Sequence, residues 1–281
     1  MKNRVLTSLA IIVVGLLLII FSGYIVYPIA LAAIAVIALF EILRVMKLHK
    51  EWAVSLPAYL LTLLFPIVAY FVDGDRVIHF LLILAAGLFS YMMWLMAVSV
   101  FSKGKIAFTR ISEAFVATTY VAVAFTSLSL LRYLDRDFGV FLVVLVFVIS
   151  WICDVFAYFT GTLIGKHKLI PEVSPKKTIE GAIGGVVFSV IACLVYGFGL
   201  DIFVSNIQVN YVILAIFGLI LSVVSQLGDL AASLIKREWG VKDYGTVFPG
   251  HGGIMDRFDS PIAVSTVMLI LTLVFPPFTS V

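Results

Sequence analysis

VNYVILAIFGLILSVVSQLGDLAASLI, residues 209–235, is a run of 27 residues with one carboxylate, Asp229, and no basic side chain. An α-helix rises 1.5 Å per residue and the apolar core of a bilayer is about 30 Å thick, so a crossing takes about 20 residues. The run is long enough. Outward from it the same pattern returns at 5–21, 24–43, 53–72, 77–101, 112–131, 139–163, 181–200 and 261–279, nine apolar runs in a chain of 281 residues. Hydrophobic residues make up 63% of the chain and charged ones 12%, against about 45–50% and 25% in soluble domains. No water-soluble globule of this size could bury so much apolar surface. The expectation is an all-α, polytopic membrane protein of about nine transmembrane helices.

Orientation follows from the basic residues, which gather in cytoplasmic loops. With the N-terminus inside, 16 of the 19 Lys and Arg residues fall on the cytoplasmic side, leaving Arg76, Arg132 and Arg136 outside. The N-terminus is therefore expected in the cytoplasm and the C-terminus outside. Lys2 and Arg4 precede the first run as in a signal peptide. No small-residue cleavage site follows, so the run reads as a retained helix. Residues 1–135 would carry spans one to five. Residues 136–281 would carry spans six to nine, with cytoplasmic loops 164–180 and 236–260, in one integrated membrane domain.

Two cysteines, Cys153 and Cys193, and four scattered histidines offer neither a disulfide framework nor a zinc site. A net charge of +3 without a charge block argues against a nucleic-acid partner. The lipid bilayer is the one partner that composition demands.

Ionisable residues inside spans are costly, and so point to function. On 209–235 and just beyond it, Ser222, Ser225, Gln226, Asp229, Ser233 and Lys236 recur at intervals of three and four, one polar stripe along an apolar helix. Ser150, Asp154, Tyr158 and Thr162 make a weaker stripe on the sixth span. Such stripes also glue helices together, but an aspartate leading to Lys236-Arg237 favours a site. Asp256 and Asp259 stand three apart before the ninth span and share a face if that helix begins early. Carboxylate oxygens without a sulfur or imidazole cluster suit Mg2+ or a similar hard cation.

Two loops hold the remaining chemistry. Ser174-Pro175 and Ser260-Pro261 read as helix starts, with serine as N-cap and proline at the first helical position. Helix N-termini attract anions. Lys176, Lys177 and Thr178 follow the first, and Gly250, His251, Gly252 and Gly253 precede the second, where glycine lets a backbone approach a ligand closely. Gly161-Thr-Leu-Ile-Gly165-Lys166-His167 lacks the spacing of a phosphate-binding loop and follows a helix rather than a strand. Gly161, Gly165, Gly181 and Gly185 read instead as close helix–helix contacts.

Residues 233–259, SLIKREWGVKDYGTVFPGHGGIMDRFD, resemble the signature of the phosphatidate cytidylyltransferases, also called CDP-diacylglycerol synthases. Ser233, Lys236, Arg237, Lys242, Asp243, Gly245, Phe248, Pro249, His251, Gly252, Gly253, Asp256, Arg257 and Asp259 all match its pattern. Ser174-Pro-Lys-Lys-Thr178, Glu180-Gly181, Gln226-Leu-Gly-Asp229 and the Asp154 region are similar to further family motifs. The resemblance covers roughly the C-terminal half. It implies transfer of CMP from CTP to phosphatidate, giving CDP-diacylglycerol and pyrophosphate, with Mg2+ required. On that reading Asp229 and Asp256 hold the main metal, and Asp259 and Asp154 are further ligands of it or of a second cation. Lys236, Arg237, Lys242, His251 and Arg257 carry the catalytic charge and orientation. Ser174, Lys176, Lys177, Thr178, Ser233, Gly252 and Gly253 bind substrate. The site would face the cytoplasm, across the cell (inner) membrane of a bacterial host. Glycine-bearing helix faces are compatible with a homodimer. The rival reading is an ion-coupled transporter using the intramembrane aspartates.

Overall fold

The computed structural model describes residues 13, 15–72, 74–248 and 252–280. Most of the first expected span, 5–21, and His251 therefore lie outside the described residues. Among the described residues, eight helices are long and apolar enough to cross a membrane, and the chain is an all-α polytopic membrane protein. It divides into two compact units: Met1–Arg136 with Trp239–Phe258, and Asp137–Glu238 with Asp259–Val281.

The first unit contains α1 (Val26–Val45), α2 (Trp52–Val68), α3 (Val77–Phe101) and α4 (Phe108–Tyr133). Its core sets large side chains such as Leu39, Leu95, Phe125 and Leu128 among small ones, Ala32, Ala35 and Ala38 of α1, Ala58 of α2 and Ala114 and Ala124 of α4, all buried. In lipid, the small residues let helices approach closely and gain dispersion contacts. Helix α2 contains Pro57 and Pro66. Proline has no N–H, so Pro57 leaves the carbonyl four residues back without its helical donor. That carbonyl, on Ala53, accepts instead from the indole Nε1 of Trp94 in α3 at 2.7 Å. The proline is tolerated because a neighbouring helix replaces the lost bond.

The second unit contains α5 (Gly139–Ile164), α6 (Ile179–Phe203), α7 (Tyr211–Glu238) and the main part of α8 (Met255–Val274). Two antiparallel pairs accompany them: β1 (Lys168–Ile170) with β2 (Ser174–Thr178), and β3 (Ile207–Val209) with β4 (Phe278–Ser280). Gly161 and Gly181 bring α5 and α6 together: a Cβ on Gly181 would come within 3.1 Å of the Gly161 Cα and 2.6 Å of the Ala157 carbonyl oxygen. At Gly185 a Cβ would lie 2.9 Å from the Cys153 carbonyl oxygen. The expected close helix contacts of Gly161, Gly181 and Gly185 are present, whereas Gly165 lies just past the end of α5, in extended conformation against Thr178.

Two helix starts differ from expectation. Ser174-Pro175 opens strand β2, not a helix. Helix α6 begins at Ile179, capped by Thr178, whose hydroxyl accepts from the Gly181 N–H at 3.1 Å. Pairing with β1 holds 174–178 extended, and threonine is itself a favoured cap, so the local Ser-Pro signal is overridden. Ser260-Pro261 likewise opens nothing, because α8 has already started at Met255. Pro261 is the seventh residue of that helix, past the free N–H groups of the first turn, so it leaves the Arg257 carbonyl without its helical donor. Asp256 and Asp259 both lie within α8, as the early start requires.

Candidate active site

In the second unit the polar stripe of α7 meets strand β2. The Lys177 ammonium lies 2.6 Å from Asp229 Oδ2, with both side chains about a quarter exposed (24% and 27%). One turn on, the Ser233 hydroxyl donates to Asp229 Oδ1 at 3.5 Å. Asp259 lies within electrostatic range of Asp229, Lys236 and Asp154, and Asp154 Oδ2 accepts from the Ser260 hydroxyl at 3.3 Å. Lys236 is buried although it is a lysine. Three carboxylates and two ammonium groups are thus concentrated in one unit. Like-charged carboxylates in a partly desolvated place stay ionised together only where cations share it. Hydroxyl, carboxylate and ammonium together can bind a polyphosphate and its accompanying cation.

Other expected residues occupy different positions. Lys176 and Arg237 are exposed, the latter with Nε 3.5 Å from the Val173 carbonyl. Ser174 is half-buried in β2. Thr178 is buried and its hydroxyl is used as the α6 cap. His167 and Glu180, which flank the hairpin, pair at 2.6 Å. Gln226 of the stripe donates to the Ala182 carbonyl at 3.1 Å, a helix-to-helix bond.

In the first unit the glycine-rich segment is built around two carboxylates. Asp256 Oδ2 accepts from the backbone N–H of Tyr244 at 2.8 Å and of Gly253 at 2.9 Å. Gly252 has φ of +83°, a conformation that favours glycine. A Cβ there would also stand 2.8 Å from Asp256 Oδ2. The Phe248 N–H donates to the Gly252 carbonyl at 2.9 Å, tying the two ends of the undescribed residues 249–251. Lys242 and Arg257 are exposed.

The second carboxylate is Glu41 of α1, which sequence reasoning missed. It is 2% exposed. Its Oε1 accepts from the Ile254 N–H at 3.1 Å and its Oε2 from the Met255 N–H at 2.9 Å. One turn on, Arg44 donates to the Tyr244 carbonyl at 2.9 Å. The rule that singled out Asp154 and Asp229 applies equally to a glutamate inside 24–43.

Among the described residues, no group of three or more His, Cys, Asp or Glu side chains is arranged to hold a metal ion. Mg2+ commonly takes one or two carboxylates plus substrate phosphates and water, and does not require such a cage. The oxygen-only donor set around Asp229 fits it.

Residues 2–275 match the family model described as the cytidylyltransferase family. The chain is 35% identical over 277 residues to the phosphatidate cytidylyltransferase of Bacillus subtilis (strain 168), covering 98% of each chain. It is 35% identical over 271 residues to that of Staphylococcus epidermidis, covering 96% of this chain and 98% of the relative. Over 173 residues it is 41% identical to the phosphatidate cytidylyltransferase of Staphylococcus aureus, spanning 62% of this chain and 63% of the other.

Proposed function

Because this chain belongs to the cytidylyltransferase family and is a nucleotidyltransferase, we propose that it transfers CMP from CTP to phosphatidate, releasing pyrophosphate and leaving CDP-diacylglycerol in the bilayer. The observation that carries the choice of substrates is the 35% identity over 98% of a chain named for that reaction.

The lipid phosphate is a monoester with a second pKa of about 6, so it is largely a dianion at neutral pH and needs no strong base. One of its oxygens attacks the α-phosphorus of CTP. The bond from that phosphorus to the β-phosphate bridging oxygen breaks, and its electron pair leaves with pyrophosphate. The protein's task is to align two anions and to neutralise charge as it moves. Within the second unit Lys177 supplies half-buried positive charge beside Asp229, Lys236 supplies buried charge near Asp259, and the exposed Lys176 and Arg237 add to it; Lys242 and Arg257, in the first unit, are further phosphate-binding charges. His251 orients a phosphate. Asp229, with Asp259 as a second carboxylate beside the triphosphate oxygens, would hold Mg2+, which neutralises triphosphate charge when bound, and Asp154 is left for a second cation. Asp256, expected as a ligand of the main metal, engages two backbone donors through Oδ2, and a metal role for it stays part of this proposal.

CTP is cytoplasmic, and loops 164–180 and 236–260 carry eight basic residues. The active site therefore faces the cytoplasm, with the N-terminus on that side, in the cell membrane of a bacterium. None of the relatives named above is a transporter, and the glycine-rich segment has no role in that reading.

Purified protein in detergent with phosphatidate, Mg2+ and CTP labelled at the α-phosphate should pass label into the organic phase. Chelation should stop it. Asp229→Asn should lower the rate by about 100-fold or more, the usual loss when one electrostatic stabiliser is removed. Folded protein that leaves the lipid unlabelled contradicts the proposal and makes ion flux the next assay.

A further inference from the structure

Glu41 and the glycine-rich segment stand 213 positions apart in sequence, yet the carboxylate meets the backbone at the first turn of α8. Helix starts leave several N–H groups without intrahelical acceptors, and carry a partial positive charge. Usually a side chain adjacent in sequence supplies the cap. Here each oxygen of a glutamate from another helix takes one donor, Ile254 N–H and Met255 N–H. The same carboxylate explains two glycines. A Cβ on Gly253 would collide with both Glu41 oxygens, and one on Gly245 would collide with Oε1. Arg44, one turn along α1, holds the carbonyl of the fully buried Tyr244, the residue before Gly245.

From this we infer that Glu41 is a positioning residue for cytidylyl transfer, and that Glu41 and Arg44 form a clamp on α1 that fixes the backbone on both sides of residues 249–251. The inference rests on the proposed function, since it gives the clamped segment a part in the reaction. Glu41 touches no substrate in this account. It acts by setting where the backbone of Gly252–Met255 stands, and with it the entry to Asp256 and Arg257. Asp256 ties the same segment from inside, through Tyr244 N–H and Gly253 N–H. One carboxylate from the segment and one from α1 thus divide four backbone donors between them, those of Tyr244, Gly253, Ile254 and Met255. The absence of side chains at Gly245 and Gly253 is then a requirement of the clamp, not of ligand approach alone.

The test uses the purified full-length protein and its Glu41→Gln variant. Glutamine keeps the shape but offers one acceptor oxygen for two donors, with an amide nitrogen facing the other. Initial rates are measured with CTP and phosphatidate each varied, beside far-UV circular dichroism and amide hydrogen exchange over 244–256. The expected result is faster exchange at Ile254 and Met255, an unchanged helical signal, and a kcat lower by about tenfold to 100-fold, the scale of loss from a displacement near 1 Å. A kcat per folded molecule within twofold of wild type overturns the inference, whether or not the folded fraction has dropped. If Glu41→Gln does not fold, Gly245→Ala reaches the same contact from the other side. Exchange at Ile254 and Met255 should then rise and kcat should fall by about tenfold to 100-fold in Gly245→Ala itself. A folded Gly245→Ala variant with kcat within twofold of wild type overturns the clamp. Wild-type protein that labels no lipid, yet shows the exchange change in Glu41→Gln, contradicts the proposed function and leaves the clamp standing.

Discussion

Replacing Lys177 by methionine removes the ammonium that lies 2.6 Å from Asp229 Oδ2. At that separation and an effective dielectric of about 20, the Coulomb attraction is about 6 kcal/mol. Most of it is offset by the cost of desolvating both ions and ordering a long side chain. Exposed pairs retain about 0–1 kcal/mol, whereas breaking a buried pair costs about 3–5 kcal/mol. With 24% and 27% of the two side chains exposed, the pair lies between these limits, and a coupling of about 1–3 kcal/mol is expected. Lys177→Met should destabilise more than Asp229→Asn, because it leaves Asp229 facing Asp259 with one cation fewer. The double variant should recover part of that loss. The measurement is a double-mutant cycle on unfolding in mixed micelles, titrated with sodium dodecyl sulfate and followed by circular dichroism. A coupling below about 0.5 kcal/mol would place both groups among solvated surface charges and refute the reasoning that makes them one electrostatic unit.

Asp256→Ala should leave the N–H groups of Tyr244 and Gly253 without their carboxylate acceptor. An unsatisfied buried donor costs about 1–3 kcal/mol, so exchange at those two amides should rise and activity should fall; unchanged exchange would refute the assignment. Gly181→Ala places a methyl group 2.6 Å from the Ala157 carbonyl oxygen and should destabilise by about 1–3 kcal/mol through overpacking. The same unfolding titration checks it, and a neutral result would mean that α5 and α6 can separate freely. For orientation, Lys105→Cys should react with a membrane-impermeant maleimide only from the cytoplasmic side, and Arg136→Cys only from outside. The natural cysteines, Cys153 and Cys193, are buried and should not react from either side. Reversed labelling would invert the topology.

Hydropathy located the described spans because a lipid-crossing helix must satisfy its backbone internally and shed charge along about 20 residues. That constraint is local, so α3 and α5 begin where the apolar runs at 77 and 139 begin. Helix starts were less legible. Ser174-Pro175 has the chemistry of a helix start but lies in a strand, since pairing with Lys168–Ile170 is decided by a neighbour and not by the dipeptide. Ser260-Pro261 failed for a related reason: Glu41 caps α8 five residues earlier, across 213 positions of sequence. Long-range capping leaves no local signature at either end. Trp94 offers the same lesson, since Pro57 looks like a helix breaker until a donor from another helix is seen on Ala53.

Within the site, the stripe on α7 was readable because a period of 3.6 residues puts Asp229, Ser233 and Lys236 on one face of any helix. The partner of Asp229 was not. Lys177 is one of two adjacent lysines, and strand alternation half-buries it while leaving Lys176 exposed. Which lysine turns inward depends on the register of a hairpin too short to announce itself. Gly252 and Gly253 read as room for a ligand, whereas the carboxylates of Asp256 and Glu41 stand beside them.

Cytidylyl transfer is tested most directly by following two labels at once. Purified protein, phosphatidate and Mg2+ are given CTP labelled at the α-phosphate in one sample and at the γ-phosphate in the other. Attack at the α-phosphorus predicts that the α-label enters the lipid and the γ-label appears in pyrophosphate, in equal amounts and with equal rates. A γ-label found in lipid, or no lipid label from folded protein, would contradict it.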